Sequence, residues 1–290
     1  MLVDSSRTGG MTRAIFCIAV GLCLLGAASV ARADNYAYVT TSDGGFGTFD
    51  FTTETYTSIA ASGTTILSAG LGEVGGALYG STESSSTLYS VNTLTGKATV
   101  VGGSFSAYGG FGSTTSTLYA VANGLSGTPS NPNLVQTINP TTGAATSVGS
   151  APSRSGVWGL STGSDTLYYS LNGSLYDFNT STKVFQKIGA MVITGSPGTP
   201  GTPTDGTDAQ ISALVYLNGT LYGTDNNEDV YTLNTTNGTA TFLYNVSSEL
   251  GGNNIDGLAP DNSPVPVPPS MLLFVPGLLG LVGMRKRFKK

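Results

Sequence analysis

The feature that most constrains the fold is an internal repeat in the body of the chain. A Tyr-bearing segment occurs five times, with its Tyr residues at Tyr38, Tyr79, Tyr119, Tyr168 and Tyr222. Each is followed by a segment of alternating apolar residues that ends at Asp50, Asn92, Asn139, Asn179 or Asn234. Alternation of this kind is typical of short strands, and such units bury their apolar faces only against their neighbours. We therefore expect the repeat Tyr residues to belong to the core.

Turn chemistry connects the strands within each repeat. In three repeats a glycine follows the Asn four residues later, at Gly96, Gly143 and Gly238. This spacing predicts a type I turn that closes with a residue at positive φ, after which a further strand begins.

A fourth element consists of a small residue followed by a large apolar one. It precedes repeats two to five, and its last copy, Gly257-Leu258, comes after the fifth repeat. The first repeat has no such element before it. The sequence therefore predicts an all-β fold of five four-stranded units. The chain begins at the second strand of the first unit, and its last strand supplies that unit's missing first strand. This is a five-bladed β-propeller in which Ile255–Ala259 completes the sheet of residues 36–60. A parallel β-helix is the alternative.

Charge and composition exclude several classes of function. The chain has no histidine, and both cysteines, Cys17 and Cys23, lie near the N-terminus. His-dependent triads are therefore excluded, and residues 34–262 have no thiol. The body carries sixteen acidic residues against four basic ones, a net charge of −12. Nucleic-acid binding is disfavoured, because neutralising phosphates requires clustered Lys and Arg.

The N-terminal segment has the pattern of a secretory signal peptide. Arg13 is followed by an apolar stretch and then by Ala31-Arg32-Ala33, in which Ala31 and Ala33 form an A-x-A cleavage site. We expect residues 1–33 to be removed before Asp34. The alternative is a retained membrane anchor.

The C-terminal segment, residues 263–290, contains a proline-rich start, an apolar run and a basic end. The residues concerned are Val265, Pro266 and Pro268, then 271–284, then Arg285, Lys286 and Arg287. The apolar run is short for a membrane span, which leaves a plain C-terminal anchor as the alternative. The pattern resembles the PEP-CTERM sorting signal of Gram-negative bacteria, in a Val-Pro-x-Pro variant.

That resemblance implies a location and a set of partners. It implies export by the secretion machinery, transient anchoring in the inner membrane by the tail, and processing by the membrane protease exosortase. It also implies a protein of the cell surface or the extracellular matrix, associated with biofilm and exopolysaccharide.

Two segments of the body are candidates for a binding surface. The connections Asn123–Asn133 and Thr194–Asp208 are much longer than their equivalents and should emerge on one face. They are either a binding rim or linkers. No cofactor is indicated, apart from calcium at Asp225, Asn227 and Asp229, whose alternate spacing resembles the start of a calcium loop; a polar hairpin turn is the alternative.

Two functions remain open. The first is a non-catalytic surface or matrix protein with a structural role, or one that binds polysaccharide or another surface protein. The second is a polysaccharide hydrolase or lyase that uses paired carboxylates and needs no histidine. We favour the first, because the acidic residues lie mainly in turns and form no recognisable pair.

Overall fold

A computed structural model describes residues 35–60, 67–82, 87–103, 105, 110–122, 133–152, 158–179, 181–199 and 202–261. Within these residues the fold is all-β, with one short helical turn, α1 (Ser247–Leu250). None of the helical structure in this part of the chain is long and apolar enough to cross a membrane. The predicted signal and tail residues lie outside the described ranges.

The strands are short, as the repeat predicts. The first eleven are β1 (Tyr36–Thr41), β2 (Phe46–Asp50), β3 (Thr55–Ala60), β4 (Gly70–Val74), β5 (Ala77–Ser81), β6 (Leu88–Val91), β7 (Ala98–Gly102), β8 (Phe111–Ser113), β9 (Leu118–Ala122), β10 (Asn133–Ile138) and β11 (Ala145–Ala151). The remaining ten are β12 (Trp158–Leu160), β13 (Tyr168–Leu171), β14 (Ser174–Asn179), β15 (Val184–Ala190), β16 (Ile193–Thr194), β17 (Ile211–Leu217), β18 (Thr220–Asp225), β19 (Asp229–Leu233), β20 (Ala240–Asn245) and β21 (Ile255–Pro260).

Each repeat forms an antiparallel sheet. Sheet 1 has the order β21-β1-β2-β3, and sheet 2 consists of β4 to β7. Sheets 3 and 4 consist of β8 to β11 and β12 to β15, and sheet 5 of β17 to β20. The predicted pairing of the last strand with the first repeat is confirmed, since Leu258 of β21 lies opposite Val39 of β1. We call β21, β4, β8, β12 and β17 the first strands of their sheets.

Two features of the sheets were not predicted. Sheets 3 and 4 join into one eight-stranded sheet through a parallel pair, Ser150 with Val184, and the end strands β8 and β12 also contact each other. This sheet therefore nearly closes on itself. The two-residue strand β16 adds to sheet 5, parallel to β20. Because consecutive strands of each repeat pair antiparallel, the parallel β-helix alternative is wrong for the described residues.

The predicted Asn-containing turns are present between the third and fourth strands. The Asn92 side-chain oxygen accepts hydrogen bonds from the backbone N–H groups of Leu94 and Thr95, both at 3.0 Å. Asn139, Asn179 and Asn234 cap their turns in the same way. The residue four positions after each Asn or Asp has positive φ in all five repeats: Glu54, Gly96, Gly143, Lys183 and Gly238.

The described core is divided into five apolar clusters, each between two successive sheets. One of them joins sheet 5 to sheet 1, where Val215 and Tyr222 pack with Val39 and Phe49. Of the repeat Tyr residues, Tyr38, Tyr119 and Tyr222 are buried, as predicted, and Tyr79 and Tyr168 are half-buried.

The first strands contact one another in the order β21, β4, β8, β12, β17 and back to β21. The turns between the third and fourth strands, which we call the outer turns, also contact the preceding sheet. A Cβ added at Gly143 would lie 2.4 Å from the Gly102 carbonyl oxygen. At the junction of sheets 5 and 1, the Tyr244 hydroxyl donates a hydrogen bond to the Phe51 carbonyl at 3.2 Å.

Candidate binding site

Small residues in the first strands allow these strands to approach backbone to backbone. A Cβ added at Gly70 would lie 2.3 Å from the carbonyl oxygen of Phe111, and one at Gly159 would lie 2.6 Å from that of Ser212. At Gly257 the added atom would be 3.0 Å from the Gly70 backbone and 2.7 Å from Thr40 Oγ1. At these three positions, close packing of the first strands therefore requires glycine.

A cavity of about 160 Å³ lies where all five first strands begin. Its lining includes the polar residues Ser68, Ser212, Asn226 and Asp256. Phe111 also borders it, but the side chain is 1 % exposed and packs in the core between sheets 2 and 3. Asn226 belongs to the turn between β18 and β19, so the turns between second and third strands reach the same side of the sheets. We call this side the cavity face.

A hydrogen bond crosses the space between the first strands beyond the cavity. The Thr162 hydroxyl, just after β12, donates to the Leu71 carbonyl of β4 at 2.7 Å, and both groups are buried. These residues belong to sheets 4 and 2, which are not successive. The bond therefore restricts passage through the centre, and access to the cavity is from the cavity face.

The long connection 194–208 leads into β17, whose beginning lines the cavity. Backbone hydrogen bonds join the two ends of this connection. Ile193 N–H donates to the Thr207 carbonyl at 2.8 Å, and Gly206 N–H donates to the Ile193 carbonyl at 2.9 Å. The Asp205 carboxylate accepts from Ser196 N–H at 2.9 Å. The described part of this connection is thus internally bonded, and its role as a binding rim stays a prediction. The other long connection lies outside the described residues, except for Asn133.

The charge distribution makes the cavity region acidic. Asp256 lines the cavity, whereas the described basic residues lie at outer positions: Lys97 directly follows one outer turn, Lys183 ends another, and Lys187 is on β15. Among the described residues, none of the cavity lining is basic. Because a cleft lined by one sign of charge repels ligands of that sign, the cavity disfavours anions.

The calcium candidates lie together at the turn between β18 and β19. Asp225 Oδ1 accepts hydrogen bonds from the N–H groups of Asn227 and Asp229 at 2.9 and 3.0 Å, and Oδ2 accepts from the Tyr231 hydroxyl at 3.1 Å. The Asn245 amide donates to Asp229 Oδ1 at 2.8 Å. The carboxylates therefore stabilise the turn itself, in keeping with the polar-turn alternative.

Burial gives Asp225 unusual acid–base properties. Its side chain is 5 % exposed, and burial raises the pKa of its carboxyl to about 6, an effect that the nearby Asp229 reinforces. In the described part of the chain, no group of three or more His, Cys, Asp or Glu side chains could hold a metal ion. Calcium binding at Asp225, Asn227 and Asp229 stays a prediction.

Sequence reasoning missed Asp256 and Asn226. A signal for Asp256 exists within the repeat, because the residue just before the small one is Ala69, Ser212 and Asp256 in three of the five copies. A position that changes from apolar to acidic inside a repeated frame is a candidate for function rather than packing.

The chemistry available in the described cavity is hydrogen bonding. Asp256 is the one carboxylate among its described lining residues, whereas glycoside hydrolysis ordinarily uses a pair of carboxylates that flank the scissile bond. The hydroxyl and amide groups beside Asp256 can donate and accept hydrogen bonds without a proton-transfer role.

Comparison with known proteins gives no family. No protein-family model matches the chain, and no curated protein sequence matches it. Among solved structures, a glutaminyl cyclase from Myxococcus xanthus is 18 % identical with a TM-score of 0.40, covering 67 % of this chain and 70 % of that one. The computationally designed Ika8 protein is 12 % identical (TM-score 0.36; 72 % and 58 % covered), and a nidogen/laminin complex 11 % identical (0.42; 80 % and 82 %). These likenesses are too distant to assign ancestry or activity.

Proposed function

We propose that the five sheets are the blades of a five-bladed β-propeller that β21 closes. The cyclic order of contacts between the first strands supports this arrangement. The division of the core into five clusters supports it as well, because the fifth cluster joins the last sheet to the first. In such a ring every blade covers its neighbour's apolar face.

The protein is an exported component of the bacterial surface or extracellular matrix, and it binds polysaccharide without chemical turnover. The cavity at the origin of all five first strands carries this proposal, since it is a concave site lined by a few polar groups. The resemblance of residues 263–290 to a sorting signal supplies the location, with exosortase and the secretion machinery as partners.

The electrostatics of the cavity face select among polymers. Asp256 at the cavity and the net charge of −12 in the body repel uronic-acid and sulfated glycans. Neutral polymers, or acidic polymers bridged by calcium, are the ligands that fit this surface.

The test is an array of neutral and acidic bacterial polysaccharides, with and without calcium, probed with the full exported protein. A variant in which a short glycine linker replaces residues 195–207 should bind less. A Leu94→Ala variant is the matched control, because Leu94 is exposed on an outer turn and should bind as the unchanged protein does.

Two results would contradict the proposal. Release of shortened polymer that stops in an Asp256→Asn variant would place the protein among enzymes. Absence of binding to every polymer, together with altered matrix texture in a deletion strain, would indicate a purely structural component.

A further inference from the structure

We propose that the central cavity binds the terminal sugar of a neutral glycan end-on, so that the protein recognises chain ends. This inference rests on the proposed glycan-binding function and specifies its ligand. The cavity measures about 160 Å³. A protein cavity of about 150 Å³ holds one six-membered ring such as benzene. The cavity is therefore of a size that accommodates one sugar ring.

The hydrogen bond between Thr162 and Leu71 limits how a polymer can enter. Because this bond joins sheets 4 and 2 across the space between the first strands, a glycan cannot thread through the centre. An internal sugar of a polymer has neighbours on both sides, whereas a terminal sugar has only one. Entry from the cavity face thus favours a terminal residue.

The polar lining matches the hydroxyl groups of a sugar. The Asp256 carboxylate accepts hydrogen bonds, and the Asn226 amide both donates and accepts. The Ser212 hydroxyl donates to the Thr224 carbonyl at 3.1 Å, and a hydroxyl that donates one hydrogen bond retains the capacity to accept another. Vicinal sugar hydroxyls require donors and acceptors side by side, and the lining residues supply both.

Charge further restricts the class of sugar that the cavity can bind. A uronate would place a second carboxylate near Asp256, and the described lining contains no Lys or Arg to compensate it. Like charges in a confined site repel, so a neutral hexose is favoured over its uronic acid. The ligand class is therefore a neutral terminal hexose.

The experiment uses the full exported protein and ligand-observed saturation-transfer NMR. Methyl glycosides of glucose, galactose and mannose should give transfer signals, and at least one should displace a bound neutral oligosaccharide. The methyl glucuronide should not displace it. An Asp256→Asn variant should lose about tenfold or more in affinity, because it loses a charged acceptor. Glu249→Gln, on the exposed side of α1, is the matched control and should bind normally.

An Asn226→Ala variant gives a second measurement if Asp256→Asn lowers the unfolding midpoint, since Asn226 is exposed and its truncation spares the core. Binding of an oligosaccharide that no neutral methyl glycoside displaces, or that neither substitution weakens, would overturn the inference while leaving the proposed function intact. Failure of every glycan to bind the unchanged protein would remove the proposed function as well.

Discussion

The carboxyl group of Asp225 should make the stability of the protein depend on pH. Its pKa is raised from an ordinary 3.8 to about 6 by burial, with Asp229 and the Tyr231 hydroxyl facing it. The folded protein therefore retains a proton that the unfolded chain has lost between about pH 4 and 6. This contribution to stability is full below the unfolded pKa and is lost as the pH rises through 6.

We expect the urea midpoint to be higher at pH 5 than at pH 7, with a full effect of up to about 3 kcal/mol for two pKa units. The lowered pKa values of Asp43 and Asp50 act at lower pH and do not mask it. Asp225→Asn should flatten the dependence, because it removes the buried carboxyl whose pKa is raised. A midpoint of the unchanged protein that falls between pH 7 and pH 5 would contradict this.

At two turn positions, the residue type does not predict the backbone conformation. Glu54 and Lys183 occupy the same turn position as Gly96, Gly143 and Gly238, and both have positive φ, at 60° and 63°. The sequence predicted the conformation at the three glycines only. At the other two, the capping Asp50 or Asn179 and the flanking strands hold the turn, because tertiary structure overrides the ordinary preference of a side chain.

At the scale of one element, the outer turn of sheet 3 should depend on Gly143. Its φ is 70°, and a Cβ there would lie 2.4 Å from the Gly102 carbonyl oxygen of sheet 2. Gly75, in the turn after β4, has a similar φ of 62° but no atom within 4 Å of the added Cβ. Comparing alanine substitutions at Gly143 and Gly75 thus distinguishes the cost of backbone strain, which both share, from the cost of the contact between sheets, which only Gly143 makes.

We expect Gly75→Ala to lower the free energy of unfolding by about 1 to 2 kcal/mol, through the left-handed conformation alone. Gly143→Ala should cost about 1 to 3 kcal/mol more, because the neighbouring backbone must shift. Urea denaturation of both variants measures the difference. Equal losses would show that the turn does not pack against sheet 2 in solution.

Changes to the basic end of the C-terminal segment test the prediction that this segment is a sorting signal. Removal of Arg285–Lys290 should release the chain from the membrane stage of sorting, because a basic cluster after an apolar run is retained on the cytoplasmic side. The measurement compares membrane, surface and medium fractions. Replacement of Arg285 and Arg287 by Lys keeps the charge and should keep the membrane-held fraction. Equal partition of truncated and full-length chains would refute the sorting interpretation.

At the scale of the whole molecule, the repeat predicted the strands, their antiparallel order and the pairing of the last strand with the first repeat. It did not predict the parallel pair between Ser150 and Val184, which depends on how close two sheets come and has no residue signature. It did not predict β16 either, because two residues beside a Gly- and Pro-rich connection carry no period. It did not predict the cavity, because Ser68, Asn226 and Asp256 come from three different repeats and only contacts between sheets bring them together.

Closure by β21 gives the sharpest test of the whole arrangement. Its residues Ile255, Leu258 and Ala259 are at most 2 % exposed, and β21 contacts β1, β4 and β17. Deleting residues 253–262 should therefore remove sheet 1's first strand, expose the edge of β1 and lower the unfolding midpoint of the entire domain. A deletion alone does not distinguish ring closure from ordinary loss of core.

A circular rearrangement makes that distinction. Asp261 N–H donates to the Tyr36 carbonyl at 3.0 Å, so the end of β21 lies beside the start of β1. Moving residues 253–262 ahead of Asn35, joined through a glycine, should form a hairpin that restores the same antiparallel pair. Because the strand then occupies the same place with a different connection, we expect the midpoint and a single cooperative transition to return. A rearranged chain as unstable as the deletion would show that β21 stabilises the domain through its covalent link to α1 rather than by closing a ring.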